Sequence, residues 1–171
     1  IRIVSSIKAG DDYKEMKIEV SANDIEKRED EEGTSNALVR GVLDGLKKRG
    51  YEIGGFNAYI TSDVFVGSGL SSSAAFEVIV GTIIDGLYND MKISMVEIAQ
   101  VGQYAENVYF GKPSGLMDQM ACAVGGLIHI DFEDPTKPVV NKVDVDFEEH
   151  SYSLCIVDTK GSHDDLTDEY A

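Results

Sequence analysis

The feature that most constrains this sequence is a glycine- and serine-rich run between a predicted strand and a predicted helix: Gly67-Ser68-Gly69-Leu70-Ser71-Ser72-Ser73-Ala74-Ala75. Two glycines allow the backbone to turn tightly and to approach a ligand closely, while serine hydroxyls and the free amides of a helix start face one place. An anion can bind there without basic side chains, because backbone amides and the positive end of the helix dipole supply the attraction. The run therefore predicts a phosphate-binding loop; the alternative is a flexible turn that only caps the helix.

The residues of this run exclude two well-known classes of phosphate-binding loop. The run contains no Gly-Lys-Ser or Gly-Lys-Thr, so it is not a Walker A loop. Ser72 occupies the position at which a dinucleotide-binding fingerprint has its third glycine. The loop therefore belongs to another class of phosphate site.

The charge of the chain argues against nucleic acid as a partner. Its 171 residues include 15 Lys and Arg against 31 Asp and Glu, which gives a formal net charge of -16. Binding to a phosphate backbone or to an anionic membrane depends on clustered cations, so we expect neither partner. The sequence shows no apolar run long enough to cross a bilayer and no recognisable signal peptide, so we expect a cytoplasmic protein.

The hydrophobic pattern predicts a mixture of strands and helices. Strands are predicted at residues 1–4, 16–20, 56–66, 127–132 and 153–157, and helices at 36–49, 73–88, from 95 onward and at 116–124. A capping box, Ser94 with Glu97, begins the third helix, whose predicted apolar face includes Ala105 and Val108 and leaves Glu106 beside it. We expect one α+β domain in which helices cover one face of a largely antiparallel sheet.

Three segments resemble the GHMP kinase superfamily, whose members phosphorylate galactose, homoserine, mevalonate and related alcohols. Residues 66–78 are similar to the second motif of that superfamily. The sequence matches the galactokinase segment G-x-P-C/S-G-I/L-M-D-Q at Gly111-Lys112-Pro113-Ser114-Gly115-Leu116-Met117-Asp118-Gln119, and residues 157–170 resemble the segment that follows it. The matches occur in the family's order and spacing, and the resemblance covers nearly the whole chain.

The resemblance implies a fold and a domain organisation. It implies an α+β, two-layer sheet-and-helix domain of the GHMP kinase N-terminal type, which is ribosomal-protein-like, in truncated form. Residues 1–171 would then be part of that ATP-binding domain, without the C-terminal GHMP domain. The family's Gly-Glu-His-Thr-Asp-Tyr signature and its third glycine-rich motif are not in this sequence, and Phe65 stands where galactokinases usually have proline. We therefore expect these residues to be catalytically incomplete by themselves, and unpaired sheet edges to favour a dimer.

The resemblance also assigns roles to individual residues, with ATP and Mg²⁺ as cofactors. It places the ATP phosphates in the loop from Gly67 to Ser73 and the metal ion at Ser73 and Glu106. It makes Asp118 the general base beside the anomeric hydroxyl of the sugar, and Gly115 a backbone contact to the sugar. Without the resemblance, Glu106 is an ordinary helix-surface glutamate and Asp118 an acidic residue that stabilises the amides of a helix start.

The activity implied is ATP-dependent phosphorylation of galactose at its anomeric hydroxyl, which gives galactose 1-phosphate. Because the sugar-reading signature is not in the sequence, a kinase for N-acetylgalactosamine or arabinose is an open alternative. A further alternative is a galactokinase-like sensor that binds sugar and ATP and signals through a partner protein. The retained serine loop and Asp118 favour the enzyme, since a sensor has no need of the transfer apparatus.

Overall fold

The computed structural model describes residues 1–9, 12–64 and 69–157. Gly67 and Ser68 of the predicted loop, and most of the family-like segment at 157–170, lie outside the described residues. The strands are β1 (Arg2–Ala9), β2 (Asp12–Glu19), β3 (Asn57–Ser62), β4 (Ile128–Asp131) and β5 (Val139–Lys142). The helices are a 3₁₀ turn (Glu29–Glu31), α1 (Ser35–Lys48), α2 (Ser72–Tyr88), α3 (Met95–Tyr104), a π-helix (Ala105–Phe110) and α4 (Met117–Val124).

Two sheets carry the described strands. The larger has the order β2-β1-β3, with β1 antiparallel to β2 and parallel to β3, and the smaller pairs β4 with β5 in antiparallel fashion. The α+β class is confirmed, but the larger sheet is mixed where a largely antiparallel sheet was expected. β1 and β3 are parallel neighbours, which requires a long connection between them, and the chain through β2 and α1 provides it.

The strand prediction for residues 153–157 is wrong. These residues form no strand with any described residue, and Leu154, Ile156 and Val157 are exposed. An apolar pattern gives a strand only where a neighbouring strand supplies hydrogen bonds, and the described part of the chain supplies none here. Strand β5 was not predicted; its four residues follow a proline-containing loop.

Helix α1 forms as its sequence predicts and covers the larger sheet. The Thr34 hydroxyl caps its start by accepting a hydrogen bond from the Ala37 amide, and Gly50, with φ of 85°, follows its end. Its apolar stripe is buried with sheet residues in one core that includes Ile3, Ile18, Val39, Val42, Leu43 and Leu46. Burial of each such side chain contributes roughly 1.5–3 kcal/mol, so this stripe anchors the helical layer to the sheet.

The helix that begins at the capping box changes type part-way along. Ser94 and Glu97 cap its start reciprocally, as predicted. From Ala105 the backbone widens into the π-helix, and Val108, which was expected on the apolar face, is 40% exposed. Hydrogen bonds that span five residues add a residue to the turn, so Tyr109 takes the buried place instead. The prediction for Val108 is therefore wrong, and Glu106 lies in the buried layer and not beside it.

Close packing between α1 and the π-helix holds this widened turn in place. A Cβ atom at position 41 would lie 2.6 Å from Ala105 Cα and 2.7 Å from Ala105 Cβ, so only glycine fits there.

No described helix combines the length and the apolar character needed to cross a membrane.

Replacing Gly41 with alanine should destabilise the protein by about 1–3 kcal/mol, because the new methyl group overlaps backbone of the π-helix. Urea unfolding followed by circular dichroism measures the change. Gly55→Ala is the matched control, since a Cβ there meets no atom within 4 Å. Equal stability of the two variants would contradict the close contact.

Candidate active site

Ser73 and Glu106 come together at the start of α2. Ser73 is the second residue of that helix, and its hydroxyl donates a hydrogen bond of 3.1 Å to Glu106 Oε1. Glu106 lies in the first turn of the π-helix and is 3% exposed. A carboxylate oxygen and a hydroxyl oxygen, 33 residues apart in the chain, therefore converge on one place.

A buried network holds the other oxygen of Glu106. The side-chain amide of Gln119, in α4, donates from Nε2 to Glu106 Oε2 over 2.7 Å and to Glu77 Oε2 over 3.0 Å. Glu77 is 1% exposed and Gln119 is fully buried. The Lys112 ammonium approaches Glu106 Oε1 to 3.9 Å from the surface side. Two buried carboxyl groups thus share one amide donor.

The sequence pattern alone predicts no role for Glu77 or Gln119. Both lie within the segments that resemble the family motifs. The signal available for Glu77 is its spacing: it lies three residues after Ala74 and four before Gly81, on the buried stripe of α2. An acidic residue on the apolar face of a helix is expected to be buried, and a buried acid needs hydrogen-bond partners. Such a residue therefore indicates a buried polar site.

The pKa of Glu77 is raised to about 9. Burial is the main cause, because the interior penalises the charged form, and the negative charge of Glu106 adds to it. The hydrogen bond from Gln119 and the charge of Lys112 act in the opposite direction. At neutral pH, Glu77 is therefore a neutral carboxylic acid.

A polar loop leads from the π-helix into α4. The Ser114 amide donates to Asn107 Oδ1 over 2.7 Å, and the Ser114 carbonyl accepts from Gln103 Nε2 over 3.1 Å. These bonds fix the turn that contains Gly115, which is exposed and has open space around its Cα. Asp118, also exposed, lies in the first turn of α4, directly before Gln119.

The described part of the glycine-serine loop has the backbone of a tight turn. Gly69 has φ of 75°, and Ser71, the residue before α2, has φ of 58°, both in the left-handed region. Leu70 between them is 37% exposed. The first turn of α2 itself contains no acidic residue, so none of its own side chains repels an anion at the helix amides. Ser71, Ser72 and Ser73 stand at this helix start, as the sequence predicts.

The oxygens at this place fit a hard divalent cation. Ser73 Oγ and Glu106 Oε1 are 3.1 Å apart and lie next to a helix start. Mg²⁺ binds through one or two protein oxygens together with water and substrate phosphates, and it prefers such donors. Within the described ranges, no group of three or more His, Cys, Asp or Glu side chains could hold a metal ion. Ser73 and Glu106 are the candidate ligands at the start of α2.

Comparison with known proteins identifies the family. The sequence profile described as "GHMP kinases N terminal domain" matches residues 37–126, more than half of the chain. The chain belongs to the GHMP kinase family. The matched range contains most of α1 and all of α2, α3, the π-helix and α4, and thus every residue of the network around Glu106.

Individual relatives are similar to this GHMP kinase chain over part of their length. A galactokinase of Clostridium tetani is 37% identical over 110 residues, which are 64% of this chain and 28% of the relative. A galactokinase of Glaesserella parasuis is 37% identical over 155 residues, 89% of this chain and 39% of the relative. The chain therefore spans well under half the length of these relatives.

A solved structure has the same fold. The crystal structure of Lactococcus lactis galactokinase complexed with galactose superposes with a TM-score of 0.60 at 27% sequence identity. The match covers 84% of this chain and 36% of that one. The likeness extends beyond the profile match to most of the described elements.

Glu77→Gln should flatten the pH dependence of stability. Because the folded-state pKa is raised to about 9, the folded state binds more protons than the unfolded state from about pH 4.5 upward. Stability conferred by the neutral acid is complete below that range and is lost as the pH rises through 9. The substitution should remove a decline on the order of a few kcal/mol, measured by urea unfolding at pH 5, 7 and 9.

The control for this measurement is Glu29→Gln, the same change at an exposed glutamate. Its stability curve should run parallel to that of the unsubstituted protein. If Glu77→Gln also runs parallel, Glu77 is not a buried neutral acid.

Proposed function

We propose that the protein containing this chain transfers the γ-phosphoryl group of ATP to the anomeric hydroxyl of galactose, giving galactose 1-phosphate. The contact between Ser73 and Glu106 at the start of α2 carries this proposal, since it joins a phosphate-binding helix start to candidate Mg²⁺ ligands. Similarity to galactokinases from Clostridium tetani and Glaesserella parasuis supports galactose as the acceptor. We expect residues 1–171 to form part of the ATP-binding domain of a cytoplasmic enzyme.

The nucleotide is held by the start of α2. Amides of its first turn and the hydroxyls of Ser71, Ser72 and Ser73 bind the ATP phosphates, and Gly67, Ser68, Gly69 and Leu70 complete the loop. Phosphoryl transfer needs positioning and neutralisation of charge more than covalent chemistry, and Mg²⁺ supplies that neutralisation when bound. Ser73 and Glu106 hold the ion, and the Lys112 ammonium lies 3.9 Å from Glu106 Oε1.

Asp118 acts on the sugar. It is exposed at the start of α4, on the turn that also presents Gly115, so its carboxylate is accessible to a bound hydroxyl. There it accepts or orients the proton of the attacking anomeric hydroxyl. Gly115 leaves its backbone free to approach the sugar, because a side chain at that position would project into open space.

The test of the substrate is ADP release by the full-length gene product with Mg²⁺ and ATP. The acceptor panel contains galactose, N-acetylgalactosamine, arabinose, mevalonate and homoserine. We expect turnover that selects galactose. Turnover on another member of the panel would replace galactose as the substrate, and ATP binding without turnover on any member would indicate a sensor.

Asp118→Asn in the full-length gene product should lower the rate of sugar phosphorylation by at least about a hundredfold, because the amide cannot accept the proton. Nucleotide binding, measured by calorimetry, should stay close to that of the unsubstituted protein. Asp144→Asn, the same change at an exposed aspartate in a distant loop, is the control and should keep full activity. Retained turnover in Asp118→Asn would remove the base assignment.

A further inference from the structure

One side-chain amide faces two carboxyl groups in the interior of the domain. Gln119 Nε2 carries two hydrogens, and the structure directs one at Glu106 Oε2 and the other at Glu77 Oε2, over 2.7 and 3.0 Å. All three side chains are buried. An amide group has a donor end and an acceptor end, so the direction in which it points decides what it offers to each neighbour.

Glu106 and Glu77 together hold the amide in that direction. If the Gln119 amide turned by 180°, its oxygen would face Glu106 Oε2, so acceptor would meet acceptor in a buried place, where unsatisfied polar groups are costly. The hydrogen bond that Glu77 Oε2 now accepts would be lost as well. With Glu77 Oε2 as an acceptor on one side, the nitrogen stays turned toward Glu106.

The backbone of α3 leaves room for this arrangement. A Cβ atom at position 102 would lie 3.0 Å from Glu77 Oε2 and 3.1 Å from Gln119 Cγ. Glycine at this position therefore allows the two side chains to meet against the helix. Helix α2 thus supplies Glu77, α4 supplies Gln119 and α3 supplies the space at Gly102 for the buried contact next to Glu106.

We propose that Gln119 and Glu77 are positioning residues that fix the rotation of the Glu106 carboxylate and thereby keep its Oε1 directed at Ser73 and the metal ion. The inference rests on the proposed metal role of Glu106. With Oε2 occupied by the Gln119 amide, Oε1 alone is free to face the Ser73 hydroxyl, at 3.1 Å. Loss of a group that orients a metal ligand typically lowers metal affinity by about 10- to 100-fold.

The test measures Mn²⁺ binding to the full-length gene product in the presence of a non-hydrolysable ATP analogue, by the electron paramagnetic resonance signal of the free ion. Gln119→Met keeps the length of the side chain and removes its donor, and Glu77→Met removes the acceptor that orients it. Each should weaken Mn²⁺ binding about tenfold or more. Glu77→Gln keeps a carbonyl acceptor for Gln119 and should bind Mn²⁺ as the unsubstituted protein does.

A steady-state measurement adds a second readout. The Mg²⁺ concentration for half-maximal turnover should rise in both methionine variants, while the KM for the sugar should stay unchanged. Asp85→Asn is the control for general damage to α2, since Asp85 is a buried acid on the same helix that accepts from the Lys92 and Ile93 amides. Asp85→Asn should lower stability, measured by urea unfolding, and leave Mn²⁺ binding unchanged.

The outcomes separate this inference from the proposed function. Glu106→Gln is included as the reference for loss of the ligand itself. If it weakens Mn²⁺ binding while both methionine variants bind normally, the positioning role is wrong and the metal role stands. If Glu106→Gln binds Mn²⁺ normally, the metal role is wrong and the positioning role falls with it. An equal loss in Glu77→Gln and Glu77→Met would also overturn the positioning role, because the acceptor is retained in only one of them.

Discussion

A buried carboxylate, Glu106, is the constraint on which the rest of the helical layer depends. Removing such a group from water costs several kcal/mol unless hydrogen bonds and charges offset the loss. The compensation comes from Ser73 on α2, from Gln119 on α4 and from Lys112 in the following loop. Because each partner belongs to a different segment, the contacts of this one side chain constrain how the three segments are placed relative to one another.

The acidic character of the chain and its expected phosphate ligand are compatible for a local reason. The start of α2 offers amides and hydroxyls with no acidic residue in its first turn, although the whole chain has a formal charge of -16. Glu77, which would otherwise add a second negative charge behind this helix start, is held neutral by its burial. The distribution of charge, more than its sum, therefore determines what this surface can bind.

Local signals in the sequence were enough to predict the helices that carry the site. The stripe of α1, the start of α2 and the capping box of α3 all depend on residues within a few positions of one another. The meeting of Ser73 with Glu106 depends on contacts 33 residues apart, so only the family resemblance pointed to it. Hydrophobic periodicity failed at Val108 because it assumes 3.6 residues per turn, and the backbone there follows the wider π-helix. Glu77 and Gln119 were not predicted as site residues, because a sequence lists polar residues but does not show which of them are buried in contact with one another.

The π-helix at Ala105–Phe110 has a consequence for how this segment can change in related chains. A widened turn holds one more residue than an α-turn, so loss of one residue can be absorbed by a return to ordinary helical winding. The segments on either side, α3 and the loop at 111–116, would then keep their directions. The side chains within the turn would change places, because ordinary winding restores a different spacing along the buried face. In related chains, a change of length in this segment should therefore be accompanied by a change in which side chain is buried beside Ser73.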